Sequence, residues 1–378
     1  MHVTVHPSPA VRRKGDIMRK QIIVGGVAVG GDAPISVQSM TTTKTRNVEE
    51  TVRQINSLAS AGCEIVRVAI PDMESADAIG EIKKNINIPL VADIHFDHRL
   101  AIRCAHAGAD KIRINPGNIG GIENVKAVAN ICKKKNLPIR IGVNSGSIAD
   151  EILKKHSGVT PEAMYDSAIG HIELLNRFDF DDICVSAKAS SVPLTVASYR
   201  LLYERTNYPL HLGVTEAGTE YAGIIKSSIG IGALLLEGIG NTIRVSLTAP
   251  PEAEVKAAIE ILKALGFRHG YEVISCPTCG RCEIDIISIT NEVERRLESI
   301  KAAKLSAASQ NGIYPQSDRH VTIAVMGCVV NGPGEASRAD YGIAGGIGEG
   351  LLFKHGKIIK KAPMDKLVNE LFMLINDS

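Results

Sequence analysis

The strongest constraint on this chain is a rhythm that runs through its first two thirds. Short β-rich runs recur at 35–40, 64–70, 89–95, 111–115, 139–144, 183–188, 210–216 and 242–247. Helix-like stretches lie between them, at 47–61, 74–84, 99–107, 122–135, 161–178 and 194–206. Asn47, followed by Glu49 and Glu50, suits a helix start: its side chain can accept a free N–H, and acidic groups favour the positive end of the helix dipole. Eight strands alternating with helices predict an α/β fold with a parallel sheet, most simply a (β/α)8 TIM barrel of roughly 250 residues. An open doubly wound sheet is the rival, and the lack of a G-x-G-x-x-G turn after the first strand argues against it. The chain has 378 residues, so a second domain is expected.

The boundary is predicted just after the eighth strand. Pro250-Pro251 ends it, one more helix covers 252–265, and Gly266 and Gly270 bracket a hinge at 266–270. The barrel then occupies 1–265 and a smaller α/β domain 271–378. In the latter a helix is expected over 283–304, a strand over 321–326, a Gly-rich loop over 342–350 and a last helix over 362–375. Residues 1–34 read as an irregular or short-hairpin lead-in, and 305–320 as a linker. The Gly-rich segment 223–240 suits either a phosphate-binding loop or an ordinary helical connection.

The ends of the barrel strands carry the first chemical signal. Residues at i and i+2 of a strand face the same way. Asp93 and His95, Arg113 and Asn115, Arg140 and Asn144, Ser186 and Lys188, and Arg244 and Ser246 all keep an even spacing near a strand's C-terminal end. Arg67 interrupts an apolar run, and Thr215 and Glu216 close the seventh strand. Any one such pair could be a rim ion pair. Repeated round the barrel, they read as one site at its mouth. Arg67, Arg113, Arg140, Lys188 and Arg244 outnumber Asp93 and Glu216 there. Cations facing one point repel unless an anion neutralises them, and guanidinium forks match phosphate oxygens. The expected ligand carries two or more phosphate charges. Asp93, His95 and Glu216 are the candidates for proton transfer.

The cysteines give the second signal. Cys63, Cys104, Cys132 and Cys184 lie scattered in apolar surroundings and read as small core residues. Cys276, Cys279 and Cys282 sit in one Pro/Gly turn, and Cys328 follows the strand at 321–326. The four suit a bound metal or an iron–sulfur centre. A structural four-thiolate zinc site is the alternative. Glu335, seven residues after Cys328 in a second Gly/Pro turn, adds a carboxylate for which a zinc ribbon has no evident use. Three thiolates with one weaker oxygen ligand would leave an exchangeable position.

Composition removes other classes. Net charge is +2 and aromatics are 4% of the chain, which argues against nucleic-acid binding. No apolar run reaches the roughly 20 residues needed to span a bilayer. The N-terminal stretch is basic without an apolar core, so no secretory signal is read and a reducing cytoplasm is expected.

Several stretches resemble the 4-hydroxy-3-methylbut-2-enyl diphosphate synthases. They are Val37-Gln38-Ser39-Met40-Thr41, Val91-Ala92-Asp93-Ile94-His95-Phe96, Arg113 to Asn118, Arg140 to Asn144, Pro209 to Gly218, Arg244 to Leu247, Cys276-Pro277-Thr278-Cys279, and Met326 to Glu335. Together they span nearly the whole chain. The resemblance implies a TIM barrel joined to a cluster domain of the sulfite-reductase type. It implies a [4Fe-4S] cluster on Cys276, Cys279, Cys328 and Glu335, with Cys282 departing from the pattern. The implied substrate is 2-C-methyl-D-erythritol 2,4-cyclodiphosphate, held by Arg67, Asp93, His95, Arg113, Asn115, Arg140, Asn144, Lys188, Thr215, Glu216, Arg244 and Ser246. Its ring is opened reductively with loss of water, Glu216 donating the proton with help from Asp93 or His95. Flavodoxin or ferredoxin would supply the electrons. A head-to-tail homodimer, the cluster domain of one subunit capping its partner's barrel, is also implied. The competing expectation is a non-redox phosphate-binding barrel enzyme with structural zinc, similar in architecture to dihydropteroate synthase.

Overall fold

A computed structural model describes residues 19–309, 320–328 and 336–376. The chain divides into two compact units, one ending at Phe267 and the other beginning at Arg268.

The first unit opens with an antiparallel hairpin of β1 (Gln21–Val24) and β2 (Val27–Gly30). Then follow β3 (Ser36–Met40), α1 (Val48–Ala61), β4 (Ile65–Ala69), α2 (Met73–Lys84), β5 (Leu90–Asp93), α3 (His98–Ala107), β6 (Lys111–Ile114), α4 (Ile122–Lys135) and β7 (Ile139–Asn144). The series continues with α5 (Asp150–Lys155), α6 (Pro161–Asn176), β8 (Ile183–Lys188), α7 (Val192–Arg205), β9 (His211–Leu212), α8 (Glu220–Leu236), β10 (Thr242–Ile243) and α9 (Pro251–Ala264). The eight-stranded sheet runs β8-β7-β6-β5-β4-β3-β10-β9, and its adjacent strands pair in parallel. A bridge between Val185 and Leu210 joins β8 to β9, so the sheet closes on itself as a barrel.

Both faces of these strands are covered, which is why β5, β6 and β8 are buried at every position. Val66 and Val68, of opposite parity to the cleft-lining Arg67, are fully buried on the outer face. Inward residues divide by height. Ile65, Val91 and Cys184, near the strand starts, pack with Ile22, Val24 and Val29 of the β1–β2 hairpin. The hairpin thus fills the N-terminal end of the barrel with apolar side chains, and polar residues collect toward the opposite end. Helix ends follow local chemistry: the Asn47 side chain accepts from Glu50 N, and Asp72 from Ser75 N.

Two barrel strands are shorter than the sequence suggests. β9 and β10 keep two residues each in the ladder. Past Leu212 the chain carries Gly213 and Gly218, and past Ile243 it runs Arg-Val-Ser-Leu-Thr; in both places it leaves the ladder and carries site residues. The β8–β9 seam is held partly by a side chain: Tyr199 Oη accepts from Ala187 N at 3.2 Å and donates to the His211 carbonyl. The Gly-rich segment around 223–240 is mostly helix α8, so the helical alternative applies there. Cys63, Cys104, Cys132 and Cys184 are all buried.

The second unit contains β11 (Tyr271–Ser275), α10 (Ile286–Ser309), β12 (Val321–Met326), β13 (Tyr341–Ala344), β14 (Glu349–Lys354), β15 (Lys357–Pro363) and α11 (Leu367–Asn376). Its sheet runs β11-β12-β13-β14-β15, the first two pairs parallel and the last two antiparallel. Ile323 and Val325 of β12 face one apolar cluster with Val293, Leu297, Leu371 and Phe372, while Ala324 and Met326 face another with Phe353. The stretch read as a Gly-rich loop at 342–350 is loop at 345–348 and strand on either side, and the final helix starts at Leu367 because β15 runs on to Pro363. No described helix is long and apolar enough to cross a membrane.

Candidate active site

A cleft at the C-terminal ends of the barrel strands is lined by Arg67, Asp93, His95, Arg113, Arg140, Asn144, Ser186, Lys188, Thr215, Arg244 and Ser246. Register explains the gathering. Asp93 pairs with Arg113, Arg113 with Arg140, and Asn144 with Lys188, so these side chains stand at matching heights on neighbouring strands.

Asp93 is the anionic centre of the cleft. It is 4% exposed and takes Arg113 Nη1 at 2.9 Å, His95 Nε2 at 3.3 Å and the more distant Arg67 Nε at 3.9 Å. Burial alone would raise its pKa. The Arg67 guanidinium, the His95 hydrogen bond and Arg113 outweigh that, holding the carboxyl well below the usual range. Asp93 is therefore ionised and serves as a counter-ion. His95, half exposed, bridges Asp93 and Arg113, with its Nε2 3.1 Å from Arg113 Nη1.

The cations exceed what Asp93 can neutralise. Arg140 is 1% exposed, and its Nε and Nη1 have no hydrogen-bond partner; nor does Arg113 Nε. Burial, then repulsion from Arg113, lowers the Arg140 pKa to about 10. Burial, reinforced by Arg140, Arg244, Arg67 and Arg113, pulls the Lys188 ammonium well below its ordinary range. Both shifts express a site under positive strain that an entering anion would relieve. Space is fitted to these groups: a Cβ on Gly142 would lie 2.5 Å from Arg113 Nε. Arg67 rests on Met40, its Nε and Nη2 3.0 and 2.8 Å from Sδ, and Arg244 Nη1 is 3.8 Å from the same sulfur.

Two of the expected site residues stand apart from the cleft lining. Asn115 is buried one residue past β6, where Nδ2 donates to Ser147 Oγ at 3.2 Å and Oδ1 accepts from Gly117 N at 3.1 Å. It ties the β6 loop to the turn after β7. Glu216 is exposed and has φ 52°, while its neighbour Thr215 lines the cleft. The sequence reading did not single out Met40 or Glu254. Met40 has the i+2 parity of an inward β3 residue, which could have flagged it. Glu254 lies in the first turn of α9, where a carboxylate ordinarily needs no explanation beyond the helix dipole.

In the second unit, Cys276 follows β11, and Gly327-Cys328 follows β12, its parallel neighbour. Gly327 N donates to Cys276 Sγ at 3.2 Å, and Glu283 N donates to Gly327 O at 2.9 Å, so the 276–283 loop folds onto the end of β12. Cys282 Sγ lies 3.2 Å from the Ile284 carbonyl, and a Cβ on Gly327 would meet that sulfur at 2.5 Å. Cys279 is exposed, and all four thiols are free. Among the described residues no three His, Cys, Asp or Glu side chains converge as a metal set. Glu335 lies outside the described residues. The donor chemistry nonetheless fits an iron–sulfur cluster: cysteines at adjacent parallel strand ends, with a backbone amide aimed at one sulfur as a metal-bound thiolate accepts it.

Residues 19–259 match the GcpE TIM-barrel domain, and residues 272–377 match the GcpE protein C-terminal domain. A protein of Ruminiclostridium cellulolyticum named 4-hydroxy-3-methylbut-2-en-1-yl diphosphate synthase (flavodoxin) is 55% identical over 359 residues, covering 95% of this chain and 97% of that protein. The protein of the same name from Geobacter sulfurreducens is 53% identical, covering 93% and 95% respectively. Among solved structures, type I 3-dehydroquinate dehydratase from Clostridium difficile aligns with a TM-score of 0.50 at 15% identity, covering 66% of this chain and 99% of that one. That likeness concerns the barrel fold alone.

Proposed function

The chain belongs to the GcpE family, and on that premise we propose that it performs the reaction for which its relatives are named, forming 4-hydroxy-3-methylbut-2-en-1-yl diphosphate with flavodoxin as electron donor. It is an oxidoreductase of isoprenoid precursor synthesis, acting on 2-C-methyl-D-erythritol 2,4-cyclodiphosphate. The observation that carries the substrate reading is the cleft in which Arg67, Arg113, Arg140, Lys188 and Arg244 surround the single lining carboxylate Asp93. A cyclic diphosphate supplies the missing negative charge.

Substrate binding falls to the barrel, 1–265, and the redox centre to 271–378, with 266–270 as the hinge. Cys276, Cys279, Cys328 and Glu335 would hold a [4Fe-4S] cluster. When bound, that cluster supplies two electrons, one at a time, for reductive ring opening. The rest follows from side chains. Arg113, Arg140, Lys188 and Arg244 grip the diphosphate and stabilise the charge that grows on it as the ring C–O bond breaks. Asp93, ionised and tied to Arg113, fixes His95 and Arg67 in place. Asn144, Thr215 and Ser246 hydrogen-bond substrate oxygens, and Asn115 shapes the loop beside them. Glu216 delivers the proton to the departing hydroxyl, aided by His95. Its positive φ, unusual for a side-chain-bearing residue, is the kind of backbone strain found at functional positions.

Two sets of groups on separate units must act on one molecule. We assign this to a homodimer in the cytoplasm, the cluster domain of one chain capping the barrel of its partner.

The test is turnover by anaerobically purified chain, given the cyclodiphosphate and reduced flavodoxin, with iron, sulfide and zinc assayed on the same sample. Product formation together with iron and sulfide in equal amounts is expected. Zinc without sulfide, or no product from cluster-loaded protein, would sink the reading.

A further inference from the structure

Glu254 is a carboxylate with 5% exposure, outside the cleft lining, on a helix that packs against β3. Such a group is costly to bury unless its oxygens are paired. Both are. Oε2 accepts from Ser39 Oγ at 3.2 Å and from Arg244 Nε and Nη2 at 3.4 and 3.3 Å. Oε1 accepts from Leu247 N at 3.0 Å and from Arg244 Nη2 at 3.4 Å. Glu254 therefore holds both ends of the segment 244–247. Of the two cleft-lining residues in that segment, Arg244 is itself one attachment and Ser246 lies between it and the other. β10 has only two ladder residues and ends at Ile243; past it the backbone is tied by Arg244 N to the Leu212 carbonyl and by Thr248 N to the Gly218 carbonyl, both at 3.0 Å, and between these two points Glu254 takes Leu247 N.

We propose that Glu254 is a positioning residue. It anchors Arg244 from behind and fixes the 244–247 segment, so that the guanidinium and Ser246 face the bound diphosphate. The proposal rests on the cyclodiphosphate reading of the cleft. A charge-assisted contact replaced by a neutral one loses on the order of tenfold in what it secures. Gln at this position keeps an acceptor for Leu247 N and loses only the charge that faces Arg244, so the effect of Glu254→Gln should vanish when Arg244 is absent.

The experiment is calorimetric titration of cluster-loaded chain, without reductant, with 2-C-methyl-D-erythritol 2,4-cyclodiphosphate. Four proteins are compared: wild type, Glu254→Gln, Arg244→Ala and the double variant. Gln keeps the shape of the side chain and an acceptor oxygen, so folding is preserved; thermal melting checks this. Expected is a loss of about tenfold for Glu254→Gln, about a hundredfold for Arg244→Ala, and no further loss in the double variant. Wild-type affinity in Glu254→Gln overturns the proposal. So does a full additional tenfold loss on the Arg244→Ala background, since a merely structural effect would persist there. Failure of the wild type itself to bind removes the underlying substrate reading, a result visible before any variant is compared.

Discussion

His171, on α6, sits against the loop that follows β6: a Cβ on Gly117 would lie 3.2 Å from its Cε1. Burial lowers its pKa to about 4. An unfolded histidine titrates near 6.5, so between these values the unfolded chain binds the extra proton. The neutral imidazole thus contributes stability that is complete above about pH 6.5 and is lost as pH falls to about 4. Allowing for partial exposure, the loss should reach about 2 kcal/mol, and His171→Gln should flatten the fall in urea unfolding free energy between pH 7 and 4.5 by that amount. An unchanged slope in the variant would contradict the assignment. His211 acts in the same direction, so the difference between the two proteins is the quantity to read. Asp93 titrates in stronger acid and does not intrude on this window. At this scale the sequence was most informative where parity governs: Arg67, Asp93, Arg113, Arg140 and Lys188 each take the inward face of their own strand, and parallel register then brings them into one cleft. Glu254 is not legible in the sequence because an acidic residue in a first helical turn is ordinary, and its contacts with Arg244, Leu247 and Ser39 depend on how α9 lies against β3.

Whole elements were legible in proportion to how completely they are buried. The barrel strands are apolar runs bounded by helices; their rhythm and count of eight, with no G-x-G-x-x-G turn after the first, favour the closed sheet over an open doubly wound one. The edge of the second unit's sheet was harder to read. β15 reads Lys-Ile-Ile-Lys-Lys and is exposed at its first five positions, so it shows no apolar alternation; lysines of this kind commonly protect an open sheet edge. β13 and β14 are broken up by glycine, which resembles loop composition. The β11–β12 pair makes a sharper statement about chemistry. Parallel pairing sets Cys276 beside the end of β12, where Gly327 N meets its sulfur. Cys282, by contrast, has its S–H partner within the chain, the Ile284 carbonyl. The Cys282 sulfur is thus engaged by a carbonyl, whereas that of Cys276 receives an amide N–H, the contact that a metal-bound thiolate accepts. Cys276→Ala should therefore abolish bound iron and sulfide and the visible absorbance of anaerobically prepared protein. Cys282→Ala should retain all three. Cluster loss in Cys282→Ala alone would exchange the two assignments.

At the level of the molecule, the chain carries two cores with different tasks. Arginines and a lysine for an anionic ligand belong to the first unit, and the cysteine loops belong to the second. On the function proposed above, one substrate must reach both. The units of a single chain could serve it, or those of two chains could do so in exchange. The two arrangements differ in how defects combine. Arg244→Ala damages the barrel and leaves the cysteine loops intact; Cys276→Ala does the reverse. If each active site draws its barrel and cluster domain from different chains, a hybrid dimer of these variants contains one site in which both parts are sound. Its other site carries both defects. Co-expression with two affinity tags, followed by sequential purification, isolates that hybrid, and its turnover should recover to about half the wild-type value per dimer. If both parts come from the same chain, every site in the hybrid carries one defect, and activity stays at the level of the parent variants. Recovery cannot come from refolding or partial rescue of either chain, because each parent dimer, purified in the same way, contains only its own defect. Full activity in a monomeric wild-type chain would end the proposal by a separate route.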